Sequence, residues 1–95
     1  MHTHIMIRTG GTVSDGNYVG GNRPHIGQVF YDQSLIAAVE KLSPYSTNGA
    51  ELVINTDDYI FRDQNTGYDA IAYTENLGAT IADGIFASIS VGVRV

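Results

Sequence analysis

"HIGQVFYDQSLIAAVEKLSPYSTN", residues 25–48, changes its period midway, and that change decides the fold. Val29, Phe30 and Tyr31 are β-branched or aromatic and read as a strand. From Asp32 onward, Leu35, Ile36, Val39 and Leu42 fall on one helical stripe, with Asp32 placed to cap the helix and Pro44 to stop it. A strand therefore feeds directly into a short helix. Phe30 and Tyr31 alternate faces, which predicts one core residue and one wall residue.

On the upstream side, "MHTHIMIRTGG" (1–11) carries a short strand from His4 to Ile7. His2 and His4 project to the same side of an extended chain, roughly 6.6 Å apart at Cα, so one ion could reach both. "RTGGTVSDGNYVGGNRP" (8–24) is glycine-rich and polar, a long loop or irregular hairpin. On the downstream side, "NTDDYIFRDQNTG" (55–67) reads as one capped helical turn inside a loop, and "YDAIAYTEN" (68–76) is strand-like. "GIFASISVGVRV" (84–95) sets Ile85, Ala87, Ile89, Val91 and Val93 against Phe86, Ser88, Ser90, Gly92 and Arg94, the clearest period-two strand in the chain. These segments predict a mainly β fold: a β-sandwich portion with one short inserted helix, forming one domain over residues 1–95.

Composition narrows the function. The 95 residues carry a net charge of −5, leaving no basic face to neutralise a phosphate backbone, so nucleic acid is not an expected partner. The absence of Cys removes thiolate catalysis and Cys-type zinc sites. No run approaches the ~20 apolar residues that span a bilayer, and the N-terminus lacks the charged and apolar regions of a signal peptide. The expectation is a soluble chain that is not exported and has no membrane partner. The glycine-rich segment contains no G-x-x-x-x-G-K-[ST] and reads as a surface loop.

Taken in order, "HTHIMI", the 25–48 block, "TDDYIF", "GYDAIAY" and "DGIFASISVGV" resemble the C-terminal portion of the intradiol ring-cleavage dioxygenases, in the secreted branch of fungi and some bacteria. The likeness runs over nearly the whole chain, and its most specific part is Gly27 to Asn48. In that family an H-x-H on a strand gives two of the four protein ligands to a non-haem ferric ion, a match that falls on His2 and His4. Two tyrosinates supply the others. Fe(III) is hard and favours anionic oxygen, while two neutral imidazoles hold the charge down. The resemblance implies a catechol-type diol and O2 as substrates, ring opening between the hydroxyl-bearing carbons, and an extracellular parent. The strand glutamine that lies beside the substrate in the family matches Gln28.

Two departures accompany the matches. Every tyrosine, from Tyr18 to Tyr73, follows the H-x-H pair, so none stands where the family places a ligand, and the Arg the family sets shortly before the first His is absent. The chain is accordingly expected to be an incomplete site, truncated at its N-terminus, with little turnover by itself. The alternative from a different class is a catalytically inactive β-sandwich fragment with a structural or binding role. On pattern alone His2 and His4 are two solvated imidazoles at an exposed terminus, Gln28 is a strand glutamine bonded to backbone or solvent, and His25 is a loop histidine. Asp57 and Asp58 read as helix caps. Losing part of a sandwich should leave positions such as Ile85 and Ile89 partly uncovered, which predicts aggregation or a homo-oligomer.

Overall fold

A computed structural model describes residues 1–95. As expected, the chain is mainly β with a short helix after the Gln28 strand. Strand β1 (His2–Thr9) pairs antiparallel with β4 (Asn22–Phe30), and the two are connected through a hairpin of β2 (Thr12–Ser14) and β3 (Asn17–Val19). The hairpin turns at Asp15 and Gly16, both with positive φ (49° and 74°). That is the mirror-image geometry favoured by Asp-Gly, because its twist matches the flanking strands. All six residues of β2 and β3 are exposed.

Helix α1 (Gln33–Val39) follows β4 and buries Ile36 and Val39, as the stripe predicts. It is shorter than the pattern suggests. Asp32 occupies the N-cap position without a side-chain capping bond, and the helix ends well before Pro44, leaving half-buried Leu42 outside it. The segment read as a single turn forms a 3-10 turn over Asn55–Asp57 and then a second helix, α2 (Tyr59–Gln64). Its cap is Asp58, whose Oδ1 accepts from the amides of Ile60 and Phe61 at 2.9 and 3.4 Å. The acid pair is structural through Asp58. His25 also departs from expectation: it lies inside β4 opposite Ile7 rather than in a loop.

β5 (Tyr73–Asn76) and β6 (Ile85–Ser88) close the chain as an antiparallel pair. The predicted long C-terminal strand stops at Ser88 because β5 offers only four residues to pair with, and Ile89 is 36% exposed. The strands form three two-stranded ribbons, with no face-to-face packing of the kind a sandwich would show. Two of them, β1–β4 and β5–β6, are joined edge to edge where the Phe30 amide donates to Ala70 O (3.1 Å) and the Ala72 amide donates to Phe30 O (2.9 Å). The core is correspondingly small: Val29, Phe30, Ile36, Val39, Ala70 and Ala72. The radius of gyration is 16.1 Å, against roughly 12 Å for a compact domain of this length. The accessible surface is 6959 Å², where a compact monomer of this mass would show about 5,300 Å². The excess is about twice the ~800 Å² that a standard interface buries on each partner. Large apolar side chains such as Tyr59, Leu77 and Phe86 stand on the surface. No helix is long and apolar enough to cross a membrane.

Candidate functional site

Register assembles the site. β1 pairs His2 with Phe30, His4 with Gln28 and Met6 with Ile26, and directly opposed residues share a face, so all six side chains lie on one side of the ribbon. His2 Nε2 and His4 Nε2 are 2.9 Å apart, one ring donating and the other accepting. The rings stack with centroids 4.9 Å apart and planes 15° from parallel. Phe30 backs His2 at 5.6 Å and is itself held edge-on against Phe61 of α2 at 5.1 Å. The most buried aromatic of the core therefore props the first histidine.

Gln28 extends the chain of contacts. Its Nε2 lies 3.4 Å from His4 Nε2, and with the amide donating, that imidazole nitrogen carries a lone pair rather than a proton. Gln28 Oε1 is buried with no hydrogen-bond partner. Turning the amide over would exchange the two atoms and still orphan one of them. An unmatched buried acceptor is costly, so this amide is incompletely satisfied by the protein itself. The Gln28 backbone amide donates to Gln64 Oε1 of α2 at 3.4 Å. Gln64, Ile60 and Phe61 were not legible as site residues, since only the long-range docking of α2 brings them there. That docking is steadied by buried Asn55, which donates from Nδ2 to Tyr31 O (2.7 Å) and from its backbone amide to Gln33 Oε1 (2.9 Å).

The fit to an ion can be tested on these distances. Two nitrogens each about 2.1 Å from one ion, at a right angle, stand about 3.0 Å apart, and the Nε2 separation of 2.9 Å meets that requirement. The two Nε2 atoms are thus spaced as a pair of adjacent nitrogen ligands would be. No group of three or more His, Cys, Asp or Glu is placed to hold a metal. The tyrosines with fixed phenols are engaged elsewhere. Tyr18 Oη accepts from the Gly11 amide (2.8 Å), Tyr31 Oη meets Thr3 Oγ1 (2.7 Å) on the opposite face, and Tyr73 donates to Glu75, which raises its pKa above the usual 10.0.

The His2 pKa is lowered from 6.5 by burial, then by the charges of His4 and the terminal ammonium, against an opposing pull from Asp58. The folded chain therefore binds this proton less readily than the unfolded chain does. Any stability tied to His2 is fully present above pH 6.5 and is lost as pH falls below it towards the folded value. The unfolding midpoint should accordingly drop on acidification through that window, and His2→Gln should flatten the drop. A ring-proton NMR titration of His2 with its midpoint above 6.5 would contradict the assignment.

Three cavities surround the ribbon, the smallest, of about 480 Å³, lying beside His2 and lined also by Glu51, Asp57, Asp58 and Tyr59. Another, of about 550 Å³, lies on the histidine face and is lined by His4, Met6, Ile26, Gln28, Ile60 and Gln64 together with the backbone side of the strands. The third, of about 580 Å³, lies on the opposite face between Thr3, Tyr31, Leu35, Val39, Leu42 and Ile85 among others. No family model matches the chain, and no curated protein or solved structure does either.

Proposed function

We propose that this chain forms part of a non-haem Fe(III) intradiol ring-cleavage dioxygenase, with His2 and His4 as its two nitrogen ligands and Gln28 beside the bound diol. The observation that carries the reading is the 2.9 Å Nε2 pair sharing one face with a Gln28 amide that has an unmatched buried oxygen. A ferric ion held there would take up a deprotonated catechol-type diol and make its ring reactive towards O2, opening it between the hydroxyl-bearing carbons. The chain's own residues perform three tasks. His2 and His4 present their Nε2 atoms side by side, with burial lowering the His2 pKa and the amide of Gln28 directed at His4. Phe30 fixes the His2 ring, and Gln28, its Nε2 directed at His4, would stand beside the diol.

The test is spectroscopic. Fe(III) added to the chain with catechol should give a protein-associated charge-transfer band in the visible. In His4→Ala the apparent iron affinity should fall at least about tenfold, or roughly 1.4 kcal/mol. Ring opening to a muconate-type product should be slow in both, because two imidazoles bring no anionic oxygen to the ion. A band of equal strength in wild type and His4→Ala would overturn the reading in favour of a catalytically inactive domain.

A further inference from the structure

The histidine face of the β1–β4 ribbon is built in two rungs. The His4–Gln28 rung is polar and, in Gln28 Oε1, holds an acceptor with nothing to accept. The next rung on the same face is Met6–Ile26, about 6.8 Å further along the strands. Both of its side chains are more than half exposed, Met6 at 52% and Ile26 at 59%. Ile60 and Gln64 of α2 line the same cavity. Its side chains carry no carboxylate, ammonium or guanidinium, and Arg8, the nearest cation along β1, turns its guanidinium to Gly20 O at 3.5 Å. A volume of about 550 Å³ falls in the range of roughly 300–1,000 Å³ typical of small-molecule sites, and it leaves room beyond a bare ring.

We propose that the two rungs form one site for an aromatic vicinal diol bearing an uncharged, apolar ring substituent, with the hydroxyls at His4–Gln28 and the substituent against Met6, Ile26 and Ile60. The inference rests on the function proposed above and adds the class of substrate. The span between rungs matches the reach from the hydroxyls of a catechol to a group on its far side. A carboxylate carried at that position would stay hydrated and find no counter-charge among the lining side chains, so it gains nothing there. An alkyl group in the same place covers apolar surface that is now wet.

The experiment uses the full chain, methyl-labelled at Met and Ile, titrated with 4-tert-butylcatechol and separately with 3,4-dihydroxybenzoate, first without metal and then with Fe(III). The alkyl catechol is expected to shift the Met6, Ile26 and Ile60 methyls and to bind at least tenfold more tightly than the carboxylate. Ile26→Lys, at a position exposed enough to accept it, should narrow or reverse that preference. Equal affinity for the two ligands would overturn the proposal, and so would shifts confined to Ile85 and its neighbours at the opposite cavity. The two inferences fail separately. Selective methyl shifts with no iron-dependent band would leave the binding site standing and remove the metal reading, while a band without selectivity would do the reverse.

Discussion

Phe30→Ala should cost this protein roughly 3–5 kcal/mol, the range for removing a buried phenylalanine. The side chain is 1% exposed in a core whose only other fully buried large side chain is Ile36. A typical domain has only about 5–15 kcal/mol in total, and the small core here places the chain low in that range. The variant is expected to be largely unfolded at room temperature, with the urea midpoint read by circular dichroism close to zero. Phe30→Leu should recover part of the loss by refilling volume while giving up the edge-on contact with Phe61. The same change reaches the site, since His2 loses the ring that backs it. A cost below about 1 kcal/mol would show that the apparent core does not hold the ribbon together.

Gly21→Ala should be the most damaging of the glycine substitutions. Gly21 has φ of +75°, and a Cβ there would lie 2.5 Å from Thr9 O and 2.8 Å from Gly11 N. Those are backbone atoms of the segment where β1 shifts register, between Ile7 and Thr9, and they cannot swing aside. Left-handed strain and the collision together should cost roughly 2 kcal/mol or more. Gly20 supplies the control: its φ is +71°, yet nothing lies within 4 Å of its Cβ position. Gly20→Ala should therefore show only the conformational strain, about 1 kcal/mol. Equal losses at the two positions, measured by thermal unfolding, would mean the close approach at Gly21 is relieved elsewhere.

What could be read beforehand followed the range of the forces involved. The Asp-Gly turn, the burial of Ile36 and Val39, and the shared face of His2 and His4 are local consequences of turn chemistry and side-chain period, and all are present. The pairing of His4 with Gln28 depends on how the intervening hairpin and the bulge near Arg8 add up, and no local pattern states that sum. The alternation from Ile85 to Arg94 was legible, but a strand needs a partner of equal length, and β5 supplies only Tyr73 to Asn76. Helix α2 was legible only as a capped turn. Its role in closing the histidine-face cavity comes from Gln64 and Ile60 meeting β4 from far along the chain.

The β2–β3 hairpin also has a practical consequence. Its six strand residues are exposed, and it shares no strand with His4 or Gln28. The chain contains no cysteine. Ser14→Cys would therefore introduce a single thiol at a defined outward position, free of competing thiols. A maleimide dye or a gold surface could be coupled there, anchoring every molecule by the hairpin in the same way and leaving the histidine face free to meet ions and ring compounds in flow.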